Sequence, residues 1–142
     1  MPLIRITARE GMFDTITQNK FIEAVTDAVL TAEGADPKDP AALSLAWAYF
    51  TEQNKGDIYV GKQVLGTPPV LIRVTTPAGS LNENENTVLA ASINSIVNDF
   101  IGTYENRLNH WLLMDEIPEN GWASNGVVFS IEDVRSAMNI TK

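Results

Sequence analysis

Five isolated arginines are the residues of this chain that could hold an anionic ligand. The net charge is −8, from 18 acidic and 10 basic residues, and no stretch gathers lysines and arginines together. Since nucleic acid binding requires a local positive surface, no nucleic acid partner is expected. An anionic small molecule would have to be held by single guanidinium groups, which are those of Arg5, Arg9, Arg73, Arg107 and Arg135.

Two of these arginines lie in a sequence segment that occurs twice in the chain. "MPLIRITAREG" opens the sequence and "VLIRVTTPAG" follows sixty-eight positions later, so Arg5 and Arg73 occupy equivalent places. Both segments alternate and are rich in β-branched residues, which predicts a strand with one apolar face. The first copy carries Pro2 where the second carries Val70.

Each of these strands precedes a predicted amphipathic helix. The first helix is expected over residues 17–32, with Thr15 or Thr17 as its cap and Gly34 as its stop. Asn82 and Glu85 have the spacing of a capping box for the second helix. The apolar positions of the two helices recur in register and are Phe21, Val25, Ala28, Val29 and Ala32, then Leu89, Ile93, Ile96, Val97 and Phe100.

A second predicted strand completes each half of the chain. "LSLAWAYFTEQ" and "NHWLLMDEI" correspond to one another, with Trp47 opposite Trp111. Strands that flank a helix in this way are usually parallel and joined by a right-handed crossover. The segment "SIEDVRSAM" at 130–138 predicts a short terminal helix capped by Ser130.

These patterns predict an α+β fold in one domain over residues 1–142. Two βαβ units, at 2–62 and 70–129, would form a four-stranded sheet with both helices on one face, followed by a tail at 130–142. The uncovered face of the sheet would carry Arg5 and Arg73 among apolar residues, and such a surface is normally buried against another subunit. We therefore expect a homo-oligomer.

The composition indicates which cellular compartment and which kinds of partner to expect. There is no cysteine, no apolar stretch of eighteen residues and no targeting segment, so the expectation is a cytoplasmic protein without a membrane partner. The acidic "NENEN" at 82–86 is interpreted as a solvated helix start, because adjacent helical residues splay around the axis. Neither a metal nor another cofactor is predicted.

The start "MPLIRITAREG", the duplicated βαβ unit and the later "DEIPENGWASNG" together resemble the tautomerase superfamily. The likeness covers residues 2–129, and the two-unit length resembles the cis-3-chloroacrylic acid dehalogenase and malonate semialdehyde decarboxylase branches. It implies a 4-oxalocrotonate tautomerase-like fold, assembled as a trimer. It also implies that Met1 is removed and that Pro2 becomes a catalytic N-terminal residue.

The resemblance suggests how a carboxylate substrate would be held. A free proline amine, with its pKa lowered by an apolar site beside cations, can move a proton next to a carbonyl. Arg73 and Arg9 are the first candidates to bind the carboxylate and Arg5 the next. The alternative role of Arg5 and Arg73 is to pair with carboxylates across a subunit interface. Trp122 is expected to form an apolar wall, and His110 is a candidate hydrogen-bond donor whose alternative role is to cap a strand.

Several positions depart from the family pattern. Relatives place arginine after the strand-terminal glycine, where this chain has Met12 and Ser80, and Trp47 and Trp111 occupy two further arginine positions. The histidine, tyrosine and glutamate of the dehalogenase branch fall on Val29, Leu113 and about Ser124, so dehalogenation by that mechanism is not expected.

Two functions follow from this sequence. The first is a cofactor-independent enol–keto tautomerase that acts on a 2-oxo acid or a 2-hydroxy-dienoate, with decarboxylation and hydration left open as related reactions. The second is an oligomeric binding or scaffold protein of the same fold that has lost the chemistry. A ferredoxin-like sensor would share the two βαβ units but would not require an N-terminal proline.

Overall fold

Both halves of the chain form the predicted strand–helix–strand unit. The computed structural model describes residues 1–142. The main elements are β1 (Leu3–Arg9), α1 (Thr15–Glu33), α2 (Pro40–Leu45), β2 (Trp47–Gln53), β3 (Tyr59–Val60), β4 (Gln63–Val64), β5 (Val70–Pro77), α3 (Glu83–Ile101), β6 (His110–Ile117), β7 (Trp122–Ser124), β8 (Val127–Phe129) and α4 (Ile131–Ala137).

The four long strands form one sheet in the order β2-β1-β5-β6. Each βαβ unit contributes a parallel pair, β1 with β2 and β5 with β6, and the units join through antiparallel β1 and β5. Arg5 lies directly opposite Arg73 across this central pair. The fold is therefore the α+β sheet of two βαβ units that the repeat predicts.

The core lies between this sheet and the helices α1 and α3. Alternate residues of β1 and β5, such as Ile6 and Ile72, are buried against the helix face that carries Phe21 and Ile93. The rings of Phe21 and Phe100 meet edge to face with centroids 5.2 Å apart. Because this face is apolar in both helices, burying it against the sheet stabilises both units in the same way.

Two local predictions need correction. The cap of α1 is Asp14, whose side chain accepts a hydrogen bond from the Thr17 amide at 2.7 Å, rather than Thr15 or Thr17. Residues 43–45 belong to helix α2 rather than to the following strand. Asp39 accepts from the Ala41 amide at 2.9 Å, and Pro40 has the fixed φ of a first helical residue, so a helix starts there.

The capping box of α3 is present as predicted. The Asn82 side chain accepts from the Glu85 amide at 2.9 Å, and the Glu85 carboxylate accepts from the Asn82 amide at 2.8 Å. We expect Asn82→Ala to lower the free energy of unfolding by about 1 kcal/mol, since it leaves helix amides unpaired. Urea unfolding measures this loss. The control is Asn84→Ala, which removes an exposed amide side chain inside the helix; an equal loss in both variants would contradict the role of the cap.

The face of the sheet opposite the helices is uncovered and rich in aromatic residues. Trp47 on β2 is 58% exposed and Trp111 on β6 is 62% exposed. Their paired positions, one on each outer strand, confirm the correspondence of the two units. Both tryptophans lie on the surface of the single chain. None of the helices is long and apolar enough to cross a membrane.

Candidate functional site

A cavity of about 600 Å³ lies beside the N-terminal end of β1, on the uncovered side of the sheet. Pro2 borders it, and the alternation of β1 brings Leu3, Arg5 and Thr7 to the same side. Strand β2 adds Trp47 and Tyr49. The hairpin of β7 and β8 closes another side with Trp122, at the place where the sequence predicts an apolar wall. The structure thus brings Pro2, Arg5 and Trp122 together.

The N-terminus itself is held by a buried carboxylate. The ammonium of Met1 donates to Oε2 of Glu33, the last residue of α1, at 3.4 Å. Glu33 is only 1% exposed, and burial raises its pKa while the nearby ammonium opposes that rise. Burial likewise lowers the pKa of the Met1 amine, against the effect of Glu33. With Met1 attached, the nitrogen of Pro2 is an amide and carries no basic lone pair.

Arg73 is already paired within the chain. Its guanidinium donates to both oxygens of Asp115, from Nε and, at 3.2 Å, from Nη2. This pairing holds the pKa of Asp115 below its usual range and raises that of Arg73. Arg73 and Asp115 line a second cavity of about 430 Å³, which shares Arg5 and Trp122 with the first. The two cavities therefore meet at Arg5.

Arg5 is the cation that remains available beside Pro2. It forms no salt bridge, whereas Arg73 opposite it is held by Asp115. The charge of Arg5 reaches Asp115, since it contributes to the lowered pKa of that carboxyl. An anion entering the first cavity would therefore meet one unpaired guanidinium, three residues along β1 from Pro2, or about 10 Å of extended strand.

Two other predicted site residues lie at the opposite end of the sheet. Arg9 ends β1, seven residues from Pro2, a span of about 23 Å in an extended strand. His110 begins β6 next to Val70, and its Nδ1 lies 2.7 Å from Oδ1 of Asn109. Partial burial lowers the pKa of His110. Within one chain, neither residue lines the cavity at Pro2.

Sequence reasoning missed three residues of the site. Tyr49 lines the cavity, Asp115 occupies Arg73, and Glu33 contacts the N-terminus. The repeat contained a signal for Glu33, because position 101, sixty-eight residues later, is isoleucine. Since the two units share one fold, a carboxylate at a position where the second unit has an apolar residue indicates a function that only the first unit has.

The Arg73–Asp115 pair yields a testable expectation for ligand binding. Asp115→Asn removes the carboxylate and leaves both Arg5 and Arg73 free to attract an anion. We expect the dissociation constant of a small carboxylate, measured by calorimetry, to fall several-fold, with a steeper dependence on salt. The control is Glu119→Gln, which removes the same charge outside both cavities. Unchanged affinity in Asp115→Asn would show that Arg73 does not face the ligand.

Comparisons with known proteins identify the fold. No protein-family model and no curated protein matches the chain. Among solved structures, a fused 4-OT wild-type symmetric trimer superposes with a TM-score of 0.73 at 20% identity, over 93% of this chain and 98% of the other. Pt0534 inactivated by 2-oxo-3-pentynoate gives 0.74 at 19% identity, with the same coverage. A member of the cis-3-chloroacrylic acid dehalogenase family gives 0.72 at 16% identity, over 89% of this chain and 82% of that one.

Proposed function

We propose that this chain, which has the fold of the tautomerase superfamily, is a cofactor-independent enol–keto tautomerase of a small 2-oxo acid or 2-hydroxy-dienoate. The observation that carries the proposal is the shared cavity of Pro2, Arg5 and Trp122. After removal of Met1, Pro2 presents a secondary amine at the edge of that cavity. The amine takes a proton from one position of the substrate and returns it at another.

Each side chain of the cavity has a part in the proposed reaction. The Pro2 amine is the general base and then the general acid. Arg5 holds the substrate carboxylate, since it is the unpaired guanidinium on the same strand. Trp122 and Tyr49 give the cavity an aromatic wall against which the substrate can pack.

A reactive 2-oxo acid tests whether Pro2 has a free amine in this cavity. One neighbouring structure is of a protein inactivated by 2-oxo-3-pentynoate. We expect the amine of Pro2 to add across the triple bond of this compound, so that the whole mass of the compound appears on a peptide that begins at Pro2. Protein prepared with Met1 retained is the matched control: its Pro2 nitrogen is an amide and should carry no adduct, and any label would lie on the primary amine of Met1, which borders the same cavity. A wild-type protein that lacks Met1 and gains no adduct on Pro2 would contradict the proposal.

We further propose that the active form is a homotrimer. The uncovered sheet face, with its exposed tryptophans on both outer strands, supports burial against other subunits. Three of the similar structures are described as trimers of fused 4-OT.

The trimer can be tested by placing charge on this face. Trp111→Arg puts a cation on β6 away from the Pro2 cavity, and we expect it to convert the trimer to monomers in sedimentation equilibrium at micromolar concentration. Ile16→Arg, at an exposed apolar residue on α1, is the control. A wild-type protein that sediments as a monomer would contradict the assembly.

The second candidate is an oligomeric binding protein of the same fold without catalysis. The pairing of Arg73 with Asp115 favours it, because this ion pair occupies one of the two arginines on the uncovered face. The two functions differ in one result: a binding protein would bind 2-oxo carboxylates in calorimetry but would not accelerate their enolisation.

A further inference from the structure

Glu33 stands in a position that is costly for a carboxylate. It is 1% exposed, and its Oε1 has no hydrogen-bond partner. It is also the last residue of α1, where the helix dipole is negative and disfavours another negative charge. Its Oε2 meets a single donor, the ammonium of Met1. A residue retained only for packing would be apolar here.

The helical crossover between β1 and β2 explains why Glu33 lies next to the N-terminus of the chain in space. Helix α1 connects the parallel strands β1 and β2, so it runs back along the sheet and ends where β1 begins. Met1 packs there against an apolar cluster in and directly after the helices α1, α2 and α4, which consists of Leu30, Ala35, Ala42, Val134 and Met138. The charged groups that act on Glu33 are the N-terminal amine and Lys142.

The second unit provides an internal comparison. Pro2 and Glu33 are thirty-one residues apart in the sequence, and so are the equivalent residues of the second unit, Val70 and Ile101. Ile101 ends α3 as Glu33 ends α1, and it packs against the main core. The unit that lacks the proline thus also lacks the carboxylate, although the fold of the two units is the same. A carboxylate is therefore present at the helix end only in the unit that has the N-terminal amine, and the helix end itself does not require one.

We propose that Glu33 is the positioning residue of the Pro2 amine. Once Met1 is removed, the buried carboxylate accepts a hydrogen bond from the Pro2 ammonium, directly or through one water in the space that Met1 leaves. The backbone nitrogen of Pro2 lies about 4 Å or less from the nitrogen of Met1, because consecutive Cα atoms are 3.8 Å apart. The pairing orients the amine and sets the pH at which it gains its proton. This inference depends on the proposed function only for the removal of Met1.

The effect on proton transfer follows from the sign of the charge. A negative carboxylate favours the protonated amine, whereas burial favours the neutral amine. Removing the carboxylate therefore lowers the pKa of Pro2. If the neutral amine is the base, the acidic limb of the pH profile of kcat/KM moves to lower pH.

The test is a direct titration of the Pro2 nitrogen by NMR in protein labelled with ¹⁵N-proline. The variants are Glu33→Gln and Glu33→Asp. Glutamine keeps the shape of the side chain without its charge, whereas aspartate keeps the charge but holds it farther from the amine because its side chain is shorter. The matched control is Glu23→Gln, which removes one charge from the exposed side of the same helix. We expect the midpoint to fall by about one pH unit or more in Glu33→Gln, to fall by less in Glu33→Asp, and to stay unchanged in Glu23→Gln.

Two outcomes separate this inference from the proposed function, and a third overturns both. Equal midpoints in wild type and both folded Glu33 variants would overturn the role of Glu33, even if the protein is an active tautomerase. A lowered midpoint in Glu33→Asp supports the role even if Glu33→Gln does not fold or the wild type shows no turnover. Retention of Met1 in the purified protein would overturn the pairing with Pro2 outright.

Discussion

Replacing Pro2 by alanine is expected to lower kcat/KM for ketonisation of phenylenolpyruvate by at least about 100-fold. This loss equals about 2.7 kcal/mol of transition-state stabilisation. Alanine, like proline, is a small second residue, so Met1 is expected to be removed from the variant as well, which leaves a free N-terminal amine at the same place. It loses the secondary amine and its ring, which restricts the direction of the lone pair. The loss measures what the proline itself contributes.

Two controls give this result its meaning. Intact mass must show that Met1 is absent from both proteins, and circular dichroism must show the same fold. Wild-type protein prepared with Met1 retained should be as inactive as the variant, because the nitrogen of Pro2 is then an amide. Activity in Pro2→Ala within a few-fold of wild type would mean that another group moves the proton.

Replacing Arg5 by glutamine is the substitution with the next largest expected effect. A charge-assisted hydrogen bond between guanidinium and carboxylate contributes about 2 kcal/mol in a partly desolvated site, so we expect kcat/KM to fall by about 30-fold. Most of the loss should be in KM, since the carboxylate is bound equally in the ground state and the transition state. Steady-state kinetics at several ionic strengths measure both parameters.

The matched comparison for Arg5 is the cross-strand residue Arg73. Arg73→Gln removes a guanidinium that Asp115 already holds, so its effect on KM should be much smaller. The methyl ester of the substrate lacks the carboxylate and should react equally with wild type and with Arg5→Gln. A larger loss in Arg73→Gln than in Arg5→Gln would reverse the roles assigned to the two arginines.

The repeat is the reason that so much of the fold could be predicted. Strand alternation and helix spacing each give a local signal, and finding both twice in register predicts two βαβ units in one sheet. The antiparallel pairing of β1 with β5, which joins the units, is a long-range contact that the sequence did not predict. The capping box at Asn82 and the cap at Ser130 are local in the sequence, so both were predicted correctly. The helix at Pro40 was missed because its apolar residues continue without a break into the strand that follows.

The site was harder to predict because it depends on contacts between distant residues. Asp115 is forty-two residues from Arg73, and no local pattern indicates that the two side chains meet. The same holds for Glu33 and the N-terminus, which are brought together by the crossover. The sequence also suggested Arg9 as a companion of Pro2, yet strand geometry places the two residues at opposite ends of β1.

The central claim is that a free Pro2 amine moves the proton, and one measurement on the untagged wild-type protein tests it directly. The same sample is analysed by intact mass and by the ultraviolet assay of phenylenolpyruvate ketonisation. We predict a mass that lacks Met1 and a rate that saturates with substrate above the buffer reaction. A mass that lacks Met1 together with no rate above buffer would contradict the claim for this class of substrate and favour the binding protein.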